Sequence, residues 1–405
     1  MSSTFRPTSA SQTRDVVAWC ADNGSALEVI GTGSKRGLGR PLQTEHTLDL
    51  SELAGIGLHE PEELVMSAAP ATPIEVIERT LDETGQMLAF EPMDPGPLLG
   101  AAGGTVGGIF ACNLSGPRRI KAGAARDHLL GFSAVSGRGE CFRSGGRVVK
   151  NVTGYDLSKL VCGSWGTLAV ITELTFKVLP APERTWTVLV HGLDGKTATG
   201  AMSAAMNSPH EVAGAAYLPR RAAASSSLER ISGAGGAITA LRLEGFGPSV
   251  EQRCRELRQL LEDCGETCVL RSQDSRALWR EIRDAAVLPC PDHHVIWRIS
   301  VAPSSGHLLL GGLSDRRDHD AFLDWAGGLV WLSTPPDGNG GAELIRAAVA
   351  GLGGHATLFR APAAIRSSVP VFQPQPAPLA ALSRRVKESF DPRGILNPGR
   401  MVSGV

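Results

Sequence analysis

Three glycine-rich segments in the first half of the chain have residue types that could bind an anion. The first is GTGSK at residues 31–35, the second is GGTVGG at 103–108, and the third is GSWGT at 163–167. Glycine lets the backbone approach a ligand closely and donate its N–H groups, while hydroxyl groups and a lysine add further donors. Taken singly, each segment is better explained as a turn. Together they predict a groove that surrounds a pyrophosphate, and hence a dinucleotide bound outside the Rossmann geometry.

Other motifs that would suggest catalysis lack the required residue order. Cys162-Gly163-Ser164-Trp165 is similar to a thiol-protease signature, but Trp165 occupies the position of the nucleophile. The same segment lacks the first glycine of a Gly-x-Ser-x-Gly serine-hydrolase elbow. Residues 31–37 lack the Gly-Lys-Ser/Thr order of a P-loop. The chain is therefore not expected to be a protease, a serine hydrolase or a P-loop NTPase.

The second half of the chain contains six residues of types that bind metals. They are Cys254, Cys264, Cys268, Cys290, His293 and His294. They lack the paired Cys-x-x-Cys spacing of a zinc knuckle and the closely spaced cysteines of an iron–sulfur site. The two histidines are expected in a strand, where adjacent side chains point to opposite faces. We therefore predict no metal site, and the thiols are expected to be packing residues.

The glycine segments must be positioned by alternating strands and helices. ALEVIGTG predicts a strand entering the first segment, PIEVIERTLDETG predicts an amphipathic helix, and SWGTLAVITELTFKVL predicts a strand leaving the third. This pattern favours an α+β domain over residues 1–183. Residues 184–354 predict a second α+β domain, with an antiparallel sheet and helices on one face. Residues 355–405 are expected to form a C-terminal segment that docks back on the first domain.

The composition limits the classes of partner. The chain has 405 residues with 40 Lys plus Arg against 41 Asp plus Glu, so its net charge gives no electrostatic argument for nucleic acid or an anionic membrane. The sequence has no apolar stretch long enough for a transmembrane segment, and MSSTFRPTSASQTRDVV lacks the apolar core of a secretion signal. A cytoplasmic protein with reduced cysteines is expected.

Five segments resemble, in order, the FAD-binding domain of the vanillyl-alcohol oxidase and para-cresol methylhydroxylase (PCMH) superfamily. They are VIGTGSKRGLGRP, ELVMSAAPATPIEVIERTLDETGQMLAFEP, GGTVGGIFACNLSGPRR, RDHLLGF and GRVVKNVTGYDLSKLVCGSWGTLAVITELTFKVLP. Within this superfamily the chain is most similar to the FAD-binding E subunits of bacterial glycolate oxidases, over nearly its whole length and including GILNPGRM. The resemblance implies a PCMH-type FAD-binding domain of two subdomains, an α+β cap domain and a C-terminal tail that returns to the FAD-binding domain.

The resemblance also implies which residues contact FAD. The first pyrophosphate loop matches Gly31, Thr32, Gly33, Ser34 and Lys35, and the second matches Gly103, Gly104, Thr105, Gly107 and Gly108. Further matches are Arg126, Asp127, Tyr155, Gly163, Ser164, Gly166, Thr167, Ile171, Thr172 and the tail residue Asn397. Two of these assignments, and a ligand role for two nearby arginines, have alternatives that the sequence leaves open. Asp127 could cap a turn, Tyr155 could be a packing residue, and the nearby pair Arg118 and Arg119 could be solvated.

Two departures from the superfamily pattern affect function. Many relatives attach FAD through a histidine in the first loop, but residues 31–37 contain none, so a noncovalent flavin is expected. Related D-2-hydroxyacid dehydrogenases use a histidine-rich metal site in the cap domain to hold the substrate carboxylate and accept the hydroxyl proton. The matching stretch here, STPPDGNGGAELIRAAV, contains no histidine. No catalytic residue is therefore assigned.

The resemblance implies a subunit of a glycolate oxidase complex, which oxidises glycolate to glyoxylate. Because the proton acceptor is missing, we expect hydride removal on a sister FAD-binding subunit. This chain would relay electrons or support assembly with an iron–sulfur subunit, in the cytoplasm or peripherally on the inner membrane. One alternative is a self-sufficient FAD-dependent dehydrogenase of 2-hydroxyacids whose base is His294 or His355. Another is a scaffold that has lost its cofactor.

Overall fold

The computed structural model describes residues 3–101, 103–148 and 154–403. The chain divides into two compact units. The first unit consists of Met1–Ser115, Gly123–Ala181 and Pro374–Val405. The second unit consists of Gly116–Ala122 and Pro182–Gln373.

Both units contain strands and helices. The strands are β1 (Ser3–Phe5), β2 (Leu27–Ile30), β3 (His46–Asp49), β4 (Ile56–Glu60), β5 (Val65–Ala68), β6 (Gln86–Met87), β7 (Leu129–Ser136), β8 (Cys141–Gly145), β9 (Ala169–Lys177), β10 (Leu179–Pro180), β11 (Arg184–His191), β12 (Gly214–Leu218), β13 (Ile238–Gly245), β14 (Thr267–Leu270), β15 (Val295–Ser300), β16 (Asp320–Asp324), β17 (Leu329–Thr334) and β18 (His355–Arg360). The helices are α1 (Ala10–Asn23), α2 (Ile74–Asp82), α3 (Gly96–Leu99), α4 (Val106–Cys112), α5 (Arg119–Ala122), α6 (Ala125–His128), α7 (Leu157–Val161), α8 (Gly195–Met206), α9 (Arg220–Ala224), α10 (Glu229–Ser232), α11 (Gly247–Leu260), α12 (Ser272–Arg283), α13 (Gly306–Ser314), α14 (Ala342–Ala350), α15 (Ala363–Ser368) and α16 (Ala377–Phe390), with 3₁₀ turns at Pro303–Ser305 and Trp325–Gly327.

The first unit contains two sheets that carry the glycine segments. One is a parallel sheet in the order β1-β3-β2, and the other is an antiparallel sheet in the order β4-β5-β9-β7-β8. A two-stranded pair joins β6 and β10. The first glycine segment follows β2, and the third precedes β9. Strand β9 is central in its sheet, which explains why LAVITELTFKV is rich in apolar and β-branched residues.

The second unit is built on one eight-stranded sheet in the order β14-β11-β13-β12-β16-β17-β15-β18. All its strand pairs are antiparallel, as predicted. The prediction that the helices lie on one face of the sheet was only partly correct, however. Val188 and Val190 of β11 pack in the main core cluster with residues of α8, α11, α13 and α14. Thr187, the residue before Val188, instead contacts Trp279 and Ser275 of α12, so this helix packs on the other face.

The second unit extends further along the chain than residues 184–354. Strand β18 pairs with β15, with His355 opposite Ser300, and the unit continues to Gln373. The physical reason is that Ala356, Leu358 and Phe359 of this strand are buried in the second unit. The segment that belongs to the first unit begins at Pro374. No helix in the described part of the chain has the length and apolar character needed to cross a bilayer.

The C-terminal segment is anchored to the first unit by a buried ammonium group. Lys387 Nζ donates hydrogen bonds to Asp391 Oδ2 at 2.6 Å, to the Thr167 carbonyl at 2.7 Å and to the Leu396 carbonyl at 3.0 Å. The Asp391 carboxylate also accepts the amide N–H groups of Ile395 and Leu396. Burial lowers the pKa of Lys387, while Asp391 acts to raise it. The buried pair therefore joins the tail to the third glycine segment.

Replacing Lys387 with methionine should destabilise the protein by about 3–5 kcal/mol, because Asp391 would be left buried without its charge partner. Chemical denaturation followed by circular dichroism measures this change. The exposed Arg384 lies on the same helix, and Arg384→Met is the matched control. A loss below about 1 kcal/mol for Lys387→Met, the size expected of a surface ion pair, would contradict the anchoring role.

Candidate functional site

The first unit contains a cleft on whose walls the three glycine segments meet. The cleft encloses about 860 Å³, open solvent included. Its lining residues are Val29, Ile30, Gly31, Thr32, Gly33, Ser34, Lys35, Arg36, Leu50, Pro70, Thr105, Gly107, Gly108, Ala111, Cys112, Ser164, Trp165, Gly166, Ala169, Ile171, Asn397 and Arg400. Segments more than 130 residues apart in sequence thus form one concave surface.

The first segment supplies backbone donors. The amide N–H groups of residues 32–35 have no acceptor among the residues that the structure describes. Gly33 has a φ of 76°, a left-handed conformation that glycine adopts without strain. At Gly31 a Cβ atom would lie 3.0 Å from Thr105 Oγ1, so the small residue permits close contact with the second segment. Thr32 Oγ1 donates a hydrogen bond to the Gly103 carbonyl at 3.1 Å, which joins the same two segments.

The second segment shapes the cleft more than it supplies free N–H donors to it. The amide N–H groups of Val106 and Gly107, at the start of α4, donate to the carbonyls of Thr72 and Pro70 at 3.0 and 2.8 Å. Thr105 caps the helix, and its Oγ1 accepts from the Gly108 amide at 3.4 Å. These first helical donors are therefore already engaged within the chain. A Cβ at Gly107 would lie 2.7 Å from Pro70 Cβ, so glycine is required for this close packing.

The third segment is a corner held in left-handed backbone conformations. Gly163, Trp165 and Gly166 have φ angles of 90°, 58° and 69°. Trp165 is not a glycine, so its conformation costs about 1–3 kcal/mol and persists because neighbouring contacts fix it. The hydroxyl of Ser164 lines the cleft and is buried without a hydrogen-bond partner among the described residues. A buried hydroxyl of this kind is an available donor for a ligand.

The tail residue Asn397 connects the first and third segments. Its Oδ1 accepts the Val29 amide N–H at 2.9 Å, and its Nδ2 donates to the Trp165 carbonyl at 2.9 Å. Asn397 itself has a φ of 44°, which asparagine tolerates better than most residues. A Cβ at Gly166 would lie 2.7 Å from Asn397 Nδ2, so the corner and the tail are in tight contact.

Lys35 contributes a positive charge to the cleft. Its ammonium group has one hydrogen-bond partner among the described residues, Ser34 Oγ at 3.4 Å, and no carboxylate within ion-pair distance in that part of the chain. Burial lowers the pKa of Lys35, while Cys112 and Asp94 act to raise it. Arg400 is different, because its guanidinium is paired with Glu28 at 3.1 Å and donates to the Leu38 carbonyl. Lys35 is thus a cation available to an anionic ligand.

The structure brings most of the predicted site residues together, but not all. Gly103, Gly104, Gly163, Thr167 and Thr172 lie within two positions of lining residues in sequence but do not line the cleft themselves. Arg126 and Asp127 are in α6, where the Asp127 side chain accepts the Ala124 amide and so caps a turn. Tyr155 is 91% exposed and does not line the cleft. Residues 150–153 of the motif KNVTGYDLSKL lie outside the described residues.

Several lining residues were absent from the predicted set. Ala111 and Cys112 follow Gly108 by three and four positions, so helical periodicity places them on the same face of α4. Trp165 belongs to the third glycine segment and lies between two predicted residues, but it was not itself among the predicted contacts. Arg400 lies three residues after Asn397 in the NPGR turn. The spacing of these residues was the signal that could have identified them.

The prediction that the two adjacent histidines lie in a strand was wrong. His293 and His294 lie in a turn before β15 and not in a strand, so their rings are in edge contact, with centroids 4.9 Å apart. His294 Nδ1 is 3.0 Å from Ser333 Oγ. The described residues contain no group of three or more His, Cys, Asp or Glu that could hold a metal ion. All eight cysteines are free thiols.

Comparisons with known proteins agree with this geometry. Residues 2–145 match a family described as the FAD binding domain. The chain is 34% identical over 376 residues to glycolate oxidase subunit GlcE of Escherichia coli (strain K12), which covers 93% of this chain and 92% of that protein. It is 40% identical over 100 residues to glycolate oxidase subunit GlcD of Bacillus subtilis (strain 168), or 25% of this chain and 21% of that protein.

The solved structure of p-cresol methylhydroxylase with substrate bound has the same fold. It matches with a TM-score of 0.71 and 14% identity over 99% of this chain and 88% of that chain. This match confirms the predicted fold class, and the FAD binding domain match confirms the predicted cofactor type. The chain belongs to the FAD-binding family of glycolate oxidase subunits that includes GlcE.

Proposed function

We propose that this chain is the FAD-binding subunit of a glycolate oxidase complex and that it binds FAD noncovalently in the cleft of the first unit. The observation that carries the proposal is the combination of Lys35, the unengaged amides of residues 32–35 and the unpartnered Ser164 hydroxyl on one surface. The relationship to GlcE supports it. The complex would be cytoplasmic, with peripheral attachment to the inner membrane as a further option.

The cleft fits the diphosphate of a dinucleotide. A diphosphate requires several N–H or O–H donors and a compensating positive charge, which the first segment provides without a competing carboxylate. Ser164 would donate from the opposite wall. The apolar lining by Val29, Leu50, Ala169 and Ile171 suits the planar rings of a flavin nucleotide. The wider set of predicted residues, from Gly103 to Thr172, would shape or support this surface.

The absence of a reactive side chain supports a noncovalent flavin. The first segment contains no histidine, cysteine or tyrosine. Cys112 lines the cleft, but burial raises the pKa of its thiol to about 11. The thiol is therefore protonated at neutral pH and a weak nucleophile.

The lining of the cleft supports the assignment of hydride removal and electron relay to different subunits of a complex. Bound FAD would supply two-electron acceptance and stepwise electron release. The described residues that line the cleft include no carboxylate and no imidazole to accept the hydroxyl proton of a 2-hydroxyacid. We therefore place hydride removal on a sister FAD-binding subunit, and assign to this chain electron relay or assembly with an iron–sulfur subunit.

The alternative of a self-sufficient dehydrogenase would need a base elsewhere in the chain. Its two candidates do not form a pair, because His294 precedes the first residue of β15 whereas His355 lies opposite the last. A strand of this length spans roughly 17 Å. Burial lowers the pKa of both imidazoles, so each is neutral at pH 7.

Replacing Lys35 with methionine should weaken FAD binding roughly 10-fold to 100-fold, because a charge-assisted hydrogen bond to the diphosphate is lost. Quenching of flavin fluorescence during titration of the FAD-free protein measures the dissociation constant. Lys159→Met is the matched control, since Lys159 is exposed, pairs with Asp156 and lies outside the cleft lining. Equal affinities in the wild-type protein and the Lys35→Met variant would refute the assigned diphosphate position.

Acid precipitation of the flavin-loaded protein should release all of its FAD into the supernatant. Absorbance of the supernatant and flavin fluorescence of the washed pellet measure the two fractions. Flavin that stays with the denatured chain would show a covalent bond and would contradict the proposal.

Anaerobic addition of glycolate to this chain alone should leave its flavin oxidised over the time in which the assembled complex is fully reduced. Loss of the flavin absorbance bands measures the reduction. Rapid reduction of the isolated chain would favour the self-sufficient dehydrogenase, and His294→Gln and His355→Gln would then identify the base. A purified chain that neither contains nor binds FAD would instead indicate a scaffold.

A further inference from the structure

The carboxylate of Glu28 is shared by two arginine side chains at the wall of the cleft. Arg36 Nε donates to Glu28 Oε1 at 3.1 Å, and Arg36 Nη2 donates to Glu28 Oε2. Arg400 Nη2 also donates to Glu28 Oε1, at 3.1 Å. Within the part of the chain that the structure describes, these two guanidinium groups are the ion-pair partners of Glu28. One carboxylate therefore serves two cations.

The two arginines differ in how firmly they are held. The side chain of Arg400 is 7% exposed, and its guanidinium also donates to the carbonyls of Leu38 at 2.9 Å and Arg36 at 3.3 Å. The side chain of Arg36 is 54% exposed, and among the described residues its guanidinium donates to Glu28 alone. Breaking a buried ion pair is costly, whereas a pair with an exposed member contributes little. Arg400 is thus fixed at Glu28, and Arg36 can leave it at low cost.

The local charges favour the departure of Arg36. Burial lowers the pKa of Arg400, Glu28 opposes this shift, and the positive charge of Arg36 adds to it. Movement of Arg36 away from Glu28 would reduce this repulsion and leave one guanidinium on one carboxylate. The other carboxylate that acts on Arg36 is Asp49, which is already paired with Arg6 at 3.0 Å.

The aliphatic stem of Arg36 lies against the first glycine segment. A Cβ at Gly33 would lie 3.4 Å from Arg36 Cδ, and the Arg36 amide donates to the Gly33 carbonyl at 3.0 Å. Arg36 and the neighbouring Lys35 both line the cleft. Rotation about the side-chain bonds of Arg36 therefore moves its guanidinium toward the free amides of residues 32–35 while the backbone stays in place.

We propose that Arg36 exchanges Glu28 for the diphosphate of the bound dinucleotide, while Arg400 keeps Glu28 neutralised. The inference rests on the proposed function, because it assigns a second cation, beside Lys35, to the same ligand. A guanidinium group forms two parallel hydrogen bonds with phosphate oxygens, and such charge-assisted bonds are stronger than an exposed ion pair. Lys35 and Arg36 would then compensate both negative charges of the diphosphate.

Titration of the FAD-free protein with FAD, followed by flavin fluorescence at low and high salt, tests this contact. Arg36→Gln should weaken FAD binding roughly tenfold, because a charge-assisted hydrogen bond is lost. Its dissociation constant should also depend less on salt than that of the wild-type protein, because one ionic contact is missing. Arg36→Lys keeps the charge without the fork and should recover part of the affinity.

Arg14→Gln is the matched control for the titration. Arg14 is an exposed arginine of the same unit that pairs with Asp15 at 2.7 Å and lies outside the cleft lining. Its replacement should leave both the FAD affinity and the salt dependence at the wild-type values.

Chemical denaturation of the FAD-free variants separates ligand binding from support of Glu28. Arg36→Gln should unfold at nearly the wild-type denaturant midpoint, because Arg400 still neutralises Glu28. Arg400→Gln should unfold at a clearly lower midpoint, because it removes the buried partner of this carboxylate.

Three results would overturn the exchange and leave Lys35-dependent FAD binding, and with it the proposed function, intact. They are equal FAD affinities of the wild-type protein and Arg36→Gln, an equal loss of affinity in Arg14→Gln, and a loss of stability in Arg36→Gln as large as that in Arg400→Gln. A wild-type protein that does not bind FAD would overturn the proposed function and the exchange together.

Discussion

The cleft depends on one side-chain amide that joins distant parts of the chain. Asn397 accepts the Val29 amide N–H and donates to the Trp165 carbonyl, so it holds the strand entering the first glycine segment against the third. Neither contact is local, since 368 and 232 residues separate the partners. Because the first and third segments both present donors to the cleft, their correct spacing is the condition for binding a diphosphate.

The C-terminal segment supports the walls of the cleft. Lys387 bonds to the Thr167 carbonyl, and Thr167 in turn donates through its hydroxyl to the Ser164 carbonyl at 2.7 Å. Arg36 and Arg400 both pair with the buried Glu28, whereas Lys35 has no carboxylate within ion-pair distance among the described residues. Two buried ion pairs thus support the walls, while the free donors face the open space. The tail comes last in the sequence, but these contacts make it part of the first unit.

Local sequence patterns predicted the elements, and tertiary contacts determined what could not be predicted. Glycine segments beside β-branched runs identified β2 and β9, because glycine conformation and strand propensity are local properties. The pattern could not show that the amides of Val106 and Gly107 are already bonded to carbonyls, since those partners lie more than 30 residues away. The turn at His293 and the packing of α12 on the second face also depended on long-range contacts. Burial of Cys112 and the exposure of Tyr155 were likewise decided by packing.

A crystal structure of the chain grown with FAD tests the central claim most directly. The account predicts one FAD in the cleft of the first unit, with its diphosphate within hydrogen-bond distance of Lys35 and of the backbone amides of residues 32–35. It also predicts an unbroken contact from Asn397 to Val29 and Trp165. A flavin bound elsewhere, or a cleft filled by side chains of the same chain under saturating FAD, would contradict the account.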